Sequence, residues 1–528
     1  MTQAVHIFKK DARHLWLEIA ITLAIALVVV LTYPSMWNGI DYQVSVASMR
    51  TIAGLASALL PLSWWILLIR LVHEENLVGD KQWWITKPYE WPQLLAGKVL
   101  FVLVFVAAPL VVLQCVLLWR AGFEPWAYAP GLAFDLLLVA VVLLAPLAAL
   151  ATVVSTFARI VLVALGVVLA VIANFAVLAW ARVDTFAVSS KLWWLALTLF
   201  FPATILVQYA RRRAWMGRLL LVAMFAFALV LEQVGYLPGV VAGVYPLAAN
   251  GAGTFSLSVD GSKQVTASPA QALGRKQRIG FDIPVLVSGL SDDDAVDVDA
   301  VRVTVQAPEG RRWNSPWENE FTNRLIGSGS GAPLDVRIDR GFLEQVKSEP
   351  LRLQVQLAIT ELRKKDESQV TLAAHDFAVP GLGICTPERS WGFPGYNGIT
   401  CRAALREPQV SYLQVRWSDD PCTASTAAAS GVTGAAWVGD LSTEPAALNL
   451  SAVSVVHPSI SNSFDPERTR KPGKDARRFL CPGTPITFTR YGFVRRTQYE
   501  MTIVDFHVPS WTIPGVEGTA GFAVRAGN

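Results

Sequence analysis

Four cysteines are the residues best placed to do chemistry. Cys385, Cys401, Cys422 and Cys481 fall in one polar stretch, while the fifth, Cys115, stands alone in an apolar run and reads as a small packing residue. Zinc draws together close pairs such as Cys-x-x-Cys, and these gaps are far too wide. An even set of thiols on an oxidising side reads instead as two disulfides, with three connectivities open. Each bridge would contribute about 2–4 kcal/mol by closing a long loop. Other groups point nowhere so specific. His375-Asp376, His457 and His507 stand singly at strand ends or beside proline, and read as surface or turn residues. Asp292-Asp293-Asp294 lacks the spaced ligands and glycine of a calcium loop. Gly327-Ser328-Gly329-Ser330-Gly331 has no lysine, and Gly97-Lys98 is followed by Val99 rather than Ser or Thr, so neither is a phosphate loop. With no Gly-x-Ser-x-Gly either, the expectation is a chain that is not an enzyme, with no catalytic residue, cofactor or metal.

The polar stretch that holds the thiols begins at about residue 240. Hydrophobic residues make up 53% of the chain and charged residues 16%, against about 25% charged in soluble proteins. The deficit lies in the first half, where residues 15–33, 52–71, 99–119, 136–157, 160–181, 192–210 and 219–236 are long apolar runs. Crossing a bilayer core takes about 20 apolar residues in a helix, because no backbone group can go unpaired in hydrocarbon. The expectation is an α-helical polytopic membrane domain over 1–240 with seven spans, or six if the last run, which meets Glu232, is discounted. Many of the 19 tryptophans flank these runs, as rings suited to the headgroup layer do. Polar residues within the runs are few: Glu18, Gln114, Asn174 and Gln208. Glu18 is near a span end and is expected to reach the interface as an exposed carboxylate.

Lys and Arg set the orientation. With the N-terminus in the cytoplasm, that side receives Lys9, Lys10, Arg13, Arg70, Lys81, Lys87, Lys98, Arg159, Arg211, Arg212, Arg213 and Arg218. The other side receives only Arg50, Arg120, Arg182 and Lys191. Seven spans then leave the polar half outside the cytoplasm. The first run has no small-residue cleavage site after it and reads as a retained span rather than a signal peptide. A net charge of +4 without a basic stripe excludes a nucleic-acid partner.

One loop, residues 73–98, carries a pattern. Glu74 and Glu75 follow the second run. Gly79 ends its helical extension, and Asp80 is placed to cap a short helix bearing Trp83 and Trp84. Thr86, Lys87 and Pro88 close it, and Leu94, Leu95 and Lys98 lead into the third run. This loop resembles that of the permease subunits of type-2 ABC exporters, which have an acidic pair, a glycine, a short helix, a Thr-x-Pro turn, a leucine pair and a lysine in this order. The resemblance implies a bacterial cytoplasmic membrane and a coupling helix seated in a separate cytoplasmic ATPase. It further implies pairing with a second copy or a sister permease. Glu74, Glu75, Asp80, Trp83, Trp84, Thr86, Lys87 and Pro88 would form the ATPase contact. The family usually has six spans with both termini inside, and the large tail here departs from that pattern.

After residue 253 the periodicity changes to two, and short runs of β-formers alternate with Pro, Gly, Asp and Ser. The expectation is an all-β, sandwich-like extracytoplasmic region in two lobes, 241–382 and 383–528, meeting near Pro380–Thr386. Residues 383–408 and 418–447 hold little alternation and are expected to be loops. A rival expectation is a membrane-anchored sensor whose β region binds a ligand or partner without transport. Reporter fusions at Lys9 and Trp83 are expected to mark the same face of the membrane; opposite faces would remove any ATPase contact at this loop.

Overall fold

The computed structural model describes residues 2–37, 44–74, 90–180, 190–211, 213–234, 242–247, 255–260, 264–267, 278–319, 326–327, 331–346, 349–389, 396–404, 411–417, 434–438, 453–456 and 482–508. The apolar half forms helices α1 (Thr2–His14), α2 (Trp16–Thr32), α3 (Val44–His73), α4 (Trp91–Arg120), α5 (Pro125–Val153), α6 (Phe157–Trp180), α7 (Ser190–Arg211) and α8 (Ala214–Val234). Among the described residues, Trp16–Met36, Ser48–His73, Trp91–Arg120 and Pro125–Val153 are long and apolar enough to cross a membrane. The chain is therefore a membrane protein in its first half and β-rich in its second. Helices α6, α7 and α8 lie where the last three runs stand. The apolar stretches described there, Phe157–Val167 and Ala214–Phe227, are shorter than a span needs.

The fourth run, read over 136–157, overlaps a helix that starts earlier: α5 begins at Pro125 and carries Asp135 inside it, buried. Residues 2–14 form a helix with a buried stripe of Ala4, Ile7, Asp11 and Leu15, spaced to fall on one face. This stripe lies on α4. A Cβ at Gly97 would come within 3.0 Å of Ile7 Cγ2 and 3.1 Å of Ala4 O, so the two helices meet where glycine leaves room.

Helices α4 and α5 share a further feature. Each contains a π-helical turn, Leu103–Ala107 and Ala140–Leu144, followed by Ala-Pro-Leu at Ala108–Leu110 and Ala145–Leu147. Proline offers no N–H and its ring crowds the carbonyl one turn back. The widened turn accommodates that ring without ending the helix.

The second half forms strands β1 (Ser256–Val259), β2 (Thr266–Ala267), β3 (Arg278–Ser288), β4 (Asp294–Gln306), β5 (Arg312–Asn314), β6 (Glu318–Asn319), β7 (Ile326–Gly327), β8 (Gly331–Asp339) and, after helix α9 (Arg340–Val346), β9 (Leu351–Thr371). Then come β10 (Phe377–Val379), β11 (Gly383–Arg389), β12 (Tyr396–Ala404), β13 (Ser411–Trp417), β14 (Gly434–Val438), β15 (Val453–Val456) and β16 (Pro485–Phe506). Strands β11 and β12 correct the expectation of a loop over 383–408. Among the described residues three sheets result: β3 with β1, β2 and β8; β10-β11-β12-β15; and β14-β13-β16-β9-β4-β5, with β6 and β7 also on β4.

The chain divides into two compact units. One comprises Met1–Val171, Lys191–Leu229 and Asp366–Arg490, so strands β10 to β15 belong with the helices. Its β core is Leu372, Val379, Leu382, Ile399, Leu413, Val415, Ile486 and Phe488 around the buried Cys385 and Cys401. The other comprises Ile172–Ser190, Val230–Lys365 and Tyr491–Asn528. There β3 (Phe281, Ile283, Val285, Val287) and β8 (Leu334, Val336, Ile338) share one core with β4 and β9. Strand β4 buries Val296 and Val298, then Val301, Val303 and Val305. The change of parity follows from a bulge: Val298 pairs with Ile359 and Ala300 with Ala358, which leaves Asp299 as the extra residue.

That extra residue holds the segment after α8. Tyr245 packs on Ala300, Ala358 and Trp317, and its hydroxyl donates to Asp299 Oδ2 at 3.0 Å. Thr360 Oγ1 donates to the same oxygen, and the Arg496 guanidinium lies 5.5 Å from the Tyr245 ring centre. Burial raises the Asp299 carboxyl, against the lowering effect of Thr360, Arg496 and Tyr245; burial, then the Asp299 charge, raises the Tyr245 phenol. A carboxyl raised on folding binds its proton more tightly in the native state. Its contribution to stability is fullest in acid and declines as pH rises past about 4. Asp299→Asn is expected to flatten that decline in melting curves of the whole chain; an unchanged pH profile would contradict the assignment.

Candidate functional site

The loop expected to touch a partner begins at the end of α3 and ends at the start of α4. Of its expected contact residues, only Glu74 is described; Glu75, Asp80, Trp83, Trp84, Thr86, Lys87 and Pro88 lie outside the described residues. What the structure does give is the frame from which the loop hangs.

Lys98 is the centre of that frame. Its ammonium, 5% exposed, donates to Asp11 Oδ2 at 2.8 Å, where the aspartate side chain is fully enclosed. It also donates to Leu71 O at 3.0 Å. One ammonium therefore joins α1, the last turn of α3 and the first turns of α4. Its bond to Leu71 occupies a carbonyl that α3 itself cannot satisfy, and a cation suits the negative end of a helix. The end of α5 is treated likewise. His73 Nε2 lies 2.8 Å from Val154 O, donating in the tautomer protonated there, and Arg218 Nε donates to Val153 O at 3.3 Å. Neighbouring helices thus cap the C-terminal ends of both α3 and α5.

Two side-chain contacts to carboxylates flank the frame. His14 Nε2 is 3.3 Å from Glu74 Oε2, and Arg70 Nη1 is 2.7 Å from Glu18 Oε1. Glu18 was expected to lie exposed; its side chain is 16% exposed and paired, which corrects that reading. Near a membrane a paired carboxylate is less costly than one left to reach for water.

The opposite end of α4 and α5 carries the β region of the same unit. Cys385 and Cys401 stand directly across from each other on β11 and β12 and form a disulfide with Cα atoms 4.0 Å apart. Cys422 and Cys481 lie outside the described residues. Beside the bridge, Gly383 has φ +144°, and a Cβ there would meet Phe123 Cζ at 2.6 Å. Phe123 belongs to the turn between α4 and α5 and stacks edge-on against Tyr128 at 5.3 Å. Val453 and Ala404 enter the same core as the helices. The disulfide-bonded strands therefore sit on the far tip of the α4–α5 hairpin, away from the loop.

Sequence reasoning missed Asp11 and its pairing with Lys98. The signal was present as one acidic residue in register with Ala4, Ile7 and Leu15, on a face otherwise apolar. Lys98→Met is expected to lower stability by about 3–5 kcal/mol by leaving Asp11 buried alone. Asp11→Leu combined with Lys98→Met should recover most of that loss. Thermal unfolding of the full chain in detergent checks both, and a double variant no more stable than the single one would show that the pair is not the fixed point.

No protein-family model matches the chain, and no curated protein is similar to it. Among solved structures, the chain has a similarity to the C-terminal globular domain of an oligosaccharyltransferase from Pyrococcus abyssi, at 9% identity over 44% of each chain, so it spans less than half of that structure. The TM-score of 0.13 is too low to bear on fold or function.

Proposed function

We propose that this chain is the membrane subunit of an ABC-type exporter, driven by a separate cytoplasmic ATPase that docks on the loop between α3 and α4. The observation that carries the reading is the buried Lys98 frame. A partner pushing on a loop moves the spans only if both ends of the loop are fixed to them, and Lys98 ties those ends to α1 and to each other. The residues of the loop, from Glu74 and Glu75 through Asp80, Trp83 and Trp84 to Pro88, match the exporter pattern.

The placement of the β region supports the orientation. The loop and the disulfide-bonded strands lie at opposite ends of α4 and α5, and disulfides persist on the oxidising side of a membrane. With the strands in the periplasm or outside the cell, the loop faces the cytoplasm of a bacterial inner membrane, in agreement with the Lys and Arg distribution. In this reading all seven runs cross the bilayer and the external region is a two-lobed β-sandwich that receives or hands on the cargo. The exporter would assemble with a second copy or a sister permease.

A sensor is the second reading, favoured by the same seat of β11, β12 and β15 on the α4–α5 tip, which would pass a ligand's signal inward as readily. Purification from native membranes separates the two. Under the exporter reading an ATPase accompanies the wild-type chain and is lost on deletion of Gly79–Pro88, although the variant still inserts. Trp84→Glu should retain ATP hydrolysis but uncouple it from transport. Recovery of the same partners with and without the loop would refute the exporter.

A further inference from the structure

The helices enclose polar groups that the frame does not use. Gln114 on α4 is fully buried, and among the described residues neither its amide nitrogen nor its amide oxygen has a hydrogen-bond partner. Asp135 on α5 is 3% exposed and makes no hydrogen bond or ion pair with any described residue. Thr22 on α2 is 2% exposed, and its hydroxyl has no partner among the described residues.

The three residues stand on helices that contribute to one buried core. Gln114 shares its face of α4 with Leu110, Leu113, Leu117 and Leu118; Asp135 shares its face of α5 with Leu132 and Val139. All six of these apolar residues belong to a single buried core, which also takes Ile19 and Val29 from α2. Both polar residues lie a few turns from the turn that joins α4 to α5, at ~1.5 Å of rise per residue, and so at comparable depth. Arg120 Nη1 donates to Val30 O and ties α4 to α2 at that end.

A carboxylate in an apolar core without a cation is among the least favourable arrangements a protein can hold. A buried amide with both ends unsatisfied is nearly as rare, and such groups mark a missing polar occupant. The acceptors available are a carboxyl, an amide oxygen and a hydroxyl, one from each of three helices, and the carboxyl, when ionised, demands positive charge. We propose that Asp135, Gln114 and Thr22 form an intramembrane site for a small monovalent cation, alkali or ammonium, held by these oxygens. The site stands apart from the loop, so it survives or fails independently of the exporter reading.

The test is thermal unfolding of the full chain in detergent at fixed pH and ionic strength, in sodium, ammonium or tetramethylammonium chloride. Sodium or ammonium should raise the midpoint by about 2–8 °C in a saturable manner, and whichever does so more strongly identifies the ion. Tetramethylammonium, too large and without donors, should leave it unmoved. Asp135→Asn is expected to abolish the response and, with no cation added, to melt above the wild type, because a buried charge has been removed. Gln114→Leu and Thr22→Val, which keep Asp135, should weaken the response at least threefold in half-saturating concentration and carry the test if Asp135→Asn fails to fold. A wild type indifferent to both ions, or equal responses in the variants, overturns the site.

Discussion

Two charges buried at the foot of the helices determine where the rest of that end must lie. Taking Lys98 and Asp11 out of water is costly, and the cost is offset only while both keep their partners in good geometry. Lys98 reaches Asp11 and Leu71 O together only if α1 lies across α4 and α3 ends beside them. Apolar contacts alone would let α1 slide along α4; the ion pair selects one register. The close approach at Gly97 then follows, since any side chain there would push Ile7 and the Ala4 carbonyl away.

The α4–α5 hairpin carries that fixed foot to the other end of the unit. Its tip holds Phe123 against Gly383, and β15 and β12 add Val453 and Ala404 to the helical core. The disulfide between Cys385 and Cys401 locks the strands that make this contact. Between foot and tip each helix has one widened turn ahead of a proline, Pro109 in α4 and Pro146 in α5. Such turns are where helices bend. The two prolines thus locate the places where a hairpin anchored at both ends can bend.

Much of this was legible in the sequence. Length and apolarity located the first four membrane-competent helices, because hydrocarbon forbids almost any other backbone. Period-two alternation marked residues 278–287, 297–306 and 351–359, which lie in β3, β4 and the first part of β9. Two buried carboxylates went unread. Asp11 lies on the buried face of α1 and Asp135 on that of α5, and a reading by hydropathy treats a carboxylate as solvent-facing. Strands β11 and β12 escaped notice because Pro387, Gly398 and Arg402 interrupt their alternation, and their pairing rests on long-range partners. The bulge at Asp299 was equally hidden, for it shows only as a change of parity between Val298 and Val301. The disulfide pairing needed the register of two strands, which spacing does not supply.

Asp11 and Lys98 stand 87 positions apart in the chain. At about 5–20 residues per second of translation, the aspartate leaves the ribosome roughly 4–17 s before its lysine. During that interval α2 and α3 are made while Asp11 has no Lys98 to pair with. The foot therefore closes only once α4 has been made, and until then Asp11 lacks the buried ammonium that balances it.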